Sequence, residues 1–249
     1  MPDASDRRSV LRSEFERAAP RYSQRTKGRF DNLGAAEFSG IRKGDSVLEV
    51  GSGTGHFLAL FEGVAERLVG VDLTWAMLEE SRNEHPAQLP VLADGNRLPF
   101  SSQSFDLVTC AQMLHHVWEP LPLLKEMRRV VRSEGRVLVV DQVAPESYEQ
   151  TAFMNQLEAL RDPSHATSRP PSAMKIVVQA AGLEILDERI VAGENPLSNW
   201  MWPGEYPECR IEKVREFIEK FGHETGMEWR REGDDWVYTF WRIMLLASR

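Results

Sequence analysis

LEVGSGTG, Leu48 to Gly55, is the stretch whose reading decides the fold. Gly51, Gly53 and Gly55 stand at alternate positions directly after the strand formers of SVLEV. A strand, a Gly-x-Gly-x-Gly turn and a helix make a nucleotide-type site, because glycine lets the backbone turn sharply and meet a ligand at contact distance. The same glycines also fit a tight strand-to-helix turn that holds nothing. Asp72 ends the next apolar run, LVGVD, twenty-one residues after Gly51. A carboxylate there accepts from both hydroxyls of a ribose. Its alternative role is to cap the helix that follows Thr74. The turn is not G-x-G-x-x-G, and no Lys-Ser/Thr follows as in a phosphate-binding loop. Glu49 precedes the first glycine; an acid so placed repels a pyrophosphate and favours a cation.

Outward from this turn, apolar runs alternate with helical patterns. Strands are predicted at Ser46–Val50, Arg67–Val71, Val91–Ala93, Phe105–Ala111 and Val137–Val143. Helices are predicted from Gly55 onward, from Thr74 to Glu84, and around Leu121, Leu124, Met127 and Val131. The strands do not alternate apolar and polar, so both faces are buried. The pattern predicts an α/β fold: a doubly wound, Rossmann-like, mostly parallel seven-stranded sheet with helices on both faces. Residues 1–43 are helical, broken at Pro20, with a second helix over Arg25–Ser39. They form a lid on a domain of residues 44–249, divided at 144 into a cofactor half and a substrate and cap half. After Pro145 come a helix over Tyr148–Arg161, a helix capped by Ser172, a strand at Glu184–Val191, a helix over Ile211–Thr225 and a final strand at Trp236–Ala247.

Composition excludes several classes. The 249-residue chain has a net charge of −8, which argues against a general nucleic-acid or anionic-membrane surface. Its two cysteines, Cys110 and Cys209, make no metal spacing, so a reducing compartment and no structural metal are expected. No apolar run is long enough to cross a bilayer, and the first residues lack a signal core, so a cytoplasmic location is expected.

Four segments, VLEVGSGTG (47–55), GVDLTWAML (70–78), LADGNRLPFSSQSFDLVTCAQMLHHV (92–117) and LLKEMRRVVRSEGRVLVVD (123–141), resemble the successive motifs of class I S-adenosylmethionine-dependent methyltransferases. The LPF, SFD and HH elements resemble the subgroup of ubiquinone and menaquinone C-methyltransferases. ALRDPSHATS (159–168) resembles a narrower UbiE-like set. The resemblance implies an antiparallel last strand and S-adenosyl-L-methionine as cofactor. It implies that the methionine part lies over Gly51, Ser52, Gly53 and Gly55, with its ammonium near Glu49. Asp72 would hold the ribose, Leu73 and Met77 would flank the adenine, and Asp94 would accept from the adenine amino group beside Gly95. Ala111 and Gln112 would line the methyl-donor side. Tyr22 matches a tyrosine of the family's leading helix.

Methyl transfer needs a positioned acceptor and exclusion of water, and a base only when the acceptor is protonated. His115 and His116 follow the fourth strand and serve as base or as loop anchors. His165 and Arg169 lie in the cap loop, where His165 is a further base candidate. Trp118, Trp200 and Trp202 line an acceptor pocket or dock onto the core. Phe105–Asp106 marks the start of a strand, and Arg128, Arg129 and Arg132 are the solvated end of a helix. The expected partner is a small, apolar or aromatic methyl acceptor, methylated on carbon or oxygen. Rival readings are a cofactor-binding protein without turnover and a nicotinamide-dependent oxidoreductase; Glu49 and the glycine spacing count against the latter. A protein or nucleic-acid acceptor fits the acidic balance poorly.

Overall fold

The computed structural model describes residues 4–201 and 208–249, with side chains from residue 8 onward; Trp202 lies outside the described residues. Its strands are β1 (Ser46–Val50), β2 (Arg67–Asp72), β3 (Gln88–Leu92), β4 (Phe105–Ala111), β5 (Val131–Val143), β6 (Glu184–Pro196), β7 (Arg230–Glu232) and β8 (Asp235–Ser248). They form one sheet in the order β3-β2-β1-β4-β5-β8-β6, with β7 paired only to β8. The strands β1 to β5 run parallel, and β8 lies antiparallel between β5 and β6.

The helices are α1 (Ala4–Thr26), α2 (Ala35–Ser39), α3 (Trp75–Glu84), α4 (Pro120–Val130), α5 (Tyr148–Arg161), α6 (Pro171–Ala180), α7 (Leu197–Trp200) and α8 (Glu208–Phe221). Successive residues of β5 enter opposite cores. Val137 and Val139 pack with Leu124, Met127 and Val178 on the α4–α6 side, whereas Leu138 and Val140 pack with Phe38, Phe57 and Phe61 on the other. Each face is dry, which is why the strands read as apolar runs. A third cluster, with Met154, Leu157, Trp200, Val214 and Tyr238, joins α5, α7 and α8 to β8.

Several local expectations are corrected. The helix expected after Gly55 is a single 3-10 turn, Leu58–Phe61, because only seven residues separate Gly55 from the left-handed Gly63. Two of its bonds are i→i−3: Leu60 N donates to Phe57 O and Glu62 N to Ala59 O. Pro20 does not break α1; it is exposed, so the carbonyl it leaves unpaired faces water. The helix expected over Arg25–Ser39 is instead a 3-10 turn, Asp31–Leu33, and the short α2. Ser172 does not cap α6 but binds Glu146 through its amide, at 2.9 Å, and its hydroxyl. The unforeseen β7 adds a hairpin to β8. Arg128, Arg129 and Arg132 are not a bare solvated end. They bond the Gly182 carbonyl, the Glu126 carboxylate and the Asp106 carboxylate respectively. Asp106 also accepts from the amide and hydroxyl of Ser46, at 2.8 and 2.7 Å, as befits a strand-start fastener.

The leading helix lies across the carboxyl ends of the strands. His56 Nε2–H donates to the Ser23 carbonyl at 2.8 Å, and His56 Nδ1 accepts from His85 Nε2 at 3.2 Å. This chain joins α1 to the glycine turn and to the end of α3. At the other end of α1, Arg8 pairs with Asp94 at 2.9 Å. Among the described residues, no helix is long and apolar enough to cross a membrane.

Candidate functional site

The sheet's order reverses between β1 and β4, and a cavity of about 600 Å³ lies there, at the carboxyl ends of β1, β2 and β4. The turn after β1 is held to β2, with the amides of Gly51 and Ser52 donating to Val71 O at 2.7 and 3.0 Å. At Gly51 (φ +72°) a Cβ would collide with the Met113 side chain. Gly53 N donates to Asp72 Oδ2 at 2.9 Å, and a Cβ at Gly53 would meet nothing within 4 Å, so the turn is open on its Cα side. Asp72 Oδ1 accepts from Thr74 N at 2.9 Å, so the carboxylate is oriented by two amides. It therefore also starts α3, whose Thr74 makes no side-chain cap. Burial pushes the Asp72 carboxyl up, against the pull of these amides.

Glu49 is 1 % exposed, and its Oε2 has no hydrogen-bond partner. Burial pushes this carboxyl well above the usual range, only partly offset by the Leu58 amide. Ser52 Oγ and Gln112 Nε2 are also buried without partners, and all three residues line the cavity. Gln112 has φ +51°, a strained setting for a side-chain-bearing residue. Its amide bonds Val140 O at 2.8 Å and its Oε1 accepts from Arg29 at 2.8 Å, which together hold it there.

Of the residues expected around the cofactor, Glu49, Gly51, Ser52, Gly53, Asp72, Leu73, Met77, Asp94, Gly95, Ala111 and Gln112 line this one cavity. Gly55 does not. A Cβ there would strike Gln88 and Ser81, and its carbonyl accepts from Gln88 Nε2 at 2.9 Å, so close packing accounts for this glycine. Asp94 Oδ1 is occupied by the Asn96 amide and side chain, both at 2.9 Å, while Oδ2 faces Arg8.

The histidines divide. His115 is not on the first cavity. Its Nδ1 bonds Asp141 Oδ1 at 2.6 Å, its amide bonds Asp141 Oδ2 at 3.0 Å, and its carbonyl accepts from Ala166 and Thr167. Burial disfavours the charge on Asp141, but His115 and the Gln142 amide outweigh it and hold the carboxyl low. His116 lines the cavity. Its Nδ1 lies 3.2 Å from Ser164 O and 3.1 Å from Ser164 Oγ, which itself donates to Asp162 at 2.6 Å. Nδ1 therefore carries the proton and Nε2 a lone pair. Burial and the neighbouring His115 push His116 down to about 3. His165 is 6 % exposed on the same wall. Its Nε2 donates to Asn155 Oδ1 at 2.8 Å, which leaves Nδ1 deprotonated, buried and without a partner. Burial pushes His165 down to about 4, so it is a neutral acceptor at pH 7.

The remaining substrate candidates separate by contact. Tyr22 and Trp118 line the first cavity, Trp118 at 51 % exposure. Arg169 does not; its guanidinium binds the carbonyls of Leu114 at 3.0 Å and Val117 at 2.8 Å, fastening the loop after β4. Trp200 is not on the first cavity; it packs in the third cluster, 5.6 Å from Trp229 and 5.2 Å from Tyr238, and lines the second cavity described next.

A second cavity, of about 450 Å³, adjoins the first across Phe15, Tyr22, Thr26, Gln112, His116 and Ser164. Its wall includes Arg29, Glu158, Asn195, Tyr238 and Arg242, none singled out by sequence reasoning. Asn155 and Asp141 were missed as well. Asp141 and Arg242 had a signal, since each is a lone charge in an apolar strand. Arg29 and Asn155 had none.

A family model described as a methyltransferase domain matches residues 48–139. Residues 48–139 are thus similar to a methyltransferase domain. The chain is 32 % identical over 165 residues to the uncharacterized methyltransferase YcgJ of Bacillus subtilis, covering 64 % of this chain and 62 % of that protein. It is 36 % identical over 112 residues to the ubiquinone/menaquinone C-methyltransferase UbiE of Hahella chejuensis, covering 41 % of this chain and 45 % of that one. The chain thus spans less than two thirds of these relatives' length. The solved structure of YcgJ superposes with a TM-score of 0.79 at 25 % identity, covering 86 % of this chain and 95 % of that chain. A Bacillus halodurans protein proposed to be a methyltransferase superposes at 0.80 with 24 % identity, covering 87 % and 97 %, a likeness of fold. The likeness to a methyltransferase domain implies S-adenosylmethionine as methyl donor.

Proposed function

We propose that the protein transfers a methyl group from S-adenosylmethionine to carbon or oxygen of a small organic molecule. The observation that carries this reading is the Glu49 carboxylate oxygen: buried beside the glycine turn, on the cavity wall, with no partner. A buried acid without a partner is costly, and a cationic ligand removes that cost. The donor set fits the cofactor. Glu49 faces an ammonium, the open edge at Gly53 receives the amino-acid part, and Asp72 is oriented for two hydroxyls. Leu73 and Met77 offer apolar contacts to the adenine, with Asp94 and Gly95 at its edge and Ala111 and Gln112 towards the donor carbon.

S-adenosylmethionine supplies a methyl group already bonded to a good leaving group. The protein's own part is to orient the acceptor, keep water out and take its proton. Residues 1–43 act as the lid, fastened by Arg8 to Asp94 and by Ser23 to His56. His165 Nδ1 is the atom best disposed to receive a proton, because Asn155 fixes its tautomer and nothing else uses its lone pair. His116 Nε2 is the second acceptor on that wall. His115 and Arg169 position the loop that carries His116.

Titration with S-adenosylmethionine, its demethylated product and NADH by calorimetry tests the reading. Binding of both adenosyl compounds on the order of micromolar, and none of NADH, is expected. Failure of both adenosyl compounds to bind would overturn it.

A further inference from the structure

The second cavity carries charge that its own wall does not balance. Each carboxylate there already has a cation: Glu158 and Asp162 share Arg161, at 2.9 and 3.8 Å, Glu194 has Arg230 at 2.9 Å, and Glu14 has Arg17. Arg29 and Arg242 have no carboxylate partner among the described residues. Arg29 bonds only neutral oxygens, Gln112 Oε1 at 2.8 Å and the Tyr22 hydroxyl at 3.5 Å. Arg242 is 9 % exposed, reaches the Arg29 carbonyl at 3.3 Å and leaves its Nε buried without a partner. Both guanidinium carbons lie 5.9 Å from the centre of the Phe30 ring, and Arg242 lies 4.6 Å from that of Phe240. Burial and the nearby Arg29 push Arg242 down to about 9. Two like charges held together on a cavity wall, one with a spare buried donor, await an anion.

We propose that Arg29 and Arg242 form an anion site in the second cavity, and that the methyl acceptor is a small organic acid held there by its carboxylate or phosphate. This rests on the methyl-transfer reading for the word acceptor, but not for the anion site itself. Guanidinium forks match both oxyanions in geometry, and a buried arginine is less hydrated than a lysine, so it suits this task. Phe15, Tyr22 and Phe240 give the acid's body apolar walls. Gln112 and His116 belong to both cavities, so an acid anchored on the arginines reaches the donor end of the first cavity from the second. Arg29 also bonds Gln112 Oε1, which ties the anchor to the strained residue at that junction.

The test is calorimetry on the full chain, with and without saturating S-adenosylhomocysteine. The probes are benzoate, salicylate and phenyl phosphate, paired with benzamide, salicylamide and phenol. At least one acid is expected to bind tenfold or more tighter than its neutral partner, and Arg29→Met and Arg242→Met are each expected to weaken it at least tenfold, with S-adenosylhomocysteine affinity unchanged in Arg242→Met. Binding of acids no tighter than neutrals, no binding of any acid, or unchanged acid binding in both variants would overturn the site. Should Arg242→Met fail to fold by circular dichroism, Arg29→Met, at the half-buried turn after α1, decides alone. Acid binding that depends on the arginines, without any binding of S-adenosylhomocysteine, would uphold the anion site and sink the methyl-transfer reading. Comparison of the carboxylate and phosphate arms identifies which acid the site prefers.

Discussion

The two adjoining cavities differ in how they are made. The first takes backbone turns and acids from three short neighbouring segments, 49–54, 71–77 and 93–96, at the ends of β1, β2 and β3, together with side chains from α1 and from the loops after β4 and α5. The second is walled by side chains from α1 and the turn after it, the loop after β4, β5, α5, β6, α7 and β8, between Glu14 and Arg242. One wall offers a buried carboxylate oxygen without a partner and the other a buried guanidinium nitrogen without one. The difference teaches that the first chamber rests on a nearly contiguous stretch of sequence, 49–96, whereas the second is assembled wholly from distant elements. It also predicts opposite charges for the two occupants.

The harshest way to break the comparison is to cut what joins the chambers. Asp141, fully buried, holds both the imidazole and the amide of His115, whose carbonyl in turn anchors the cap loop at Ala166 and Thr167. Asp141→Ala leaves those donors buried and unpaired, at a cost of about 3–5 kcal/mol. Urea denaturation should show the unfolding free energy fall by that amount. A loss under about 1 kcal/mol would mean that the chambers do not share this brace.

His165 sharpens the division of labour, since it faces the first cavity but belongs to the cap. His165→Ala is expected to lower turnover about 100-fold while leaving the affinity for S-adenosylmethionine unchanged. Equal turnover would reduce it to a packing residue. Asp72→Ala should do the reverse to the two chambers. It is expected to weaken cofactor binding about ten- to one-hundredfold, or about 1.5–3 kcal/mol, and to leave benzoate binding intact. Joint loss of both affinities in calorimetry would mean that the cavities fold as one site.

How much of this was legible follows from the same contrast. Glu49, Gly51, Asp72 and Asp94 fall in ordered motifs within some forty-five residues, so local spacing alone brings them to one cavity. The sheet was legible for a similar reason: a strand buried on both faces must be apolar throughout. Gly55 misled, because a glycine demanded by the Gln88 side chain is indistinguishable in sequence from one demanded by a ligand. Arg169 misled because nothing local reveals that a guanidinium will be consumed by the carbonyls of Leu114 and Val117. Arg29 was invisible: its meaning depends on Arg242, two hundred and thirteen residues away.

The mildest test concerns proton linkage at Glu49. Its carboxyl is raised by burial, so the free protein holds a proton there that an ordinary glutamate would have lost. A cationic ligand pairs only with the ionised form. Binding therefore releases a proton wherever Glu49 is protonated in the free protein, and affinity rises with pH by at most about tenfold per unit until the raised value is passed. The stability of the free protein changes in the other direction. A raised carboxyl stabilises fully below its unfolded value of about 4.3, and that contribution is lost as pH rises through the folded value. Calorimetry in two buffers of different ionisation enthalpy should register the released proton for wild-type protein and none for Glu49→Gln. Equal proton release in both would place the titrating group elsewhere. It would leave the first cavity without the negative charge that distinguishes it from the second.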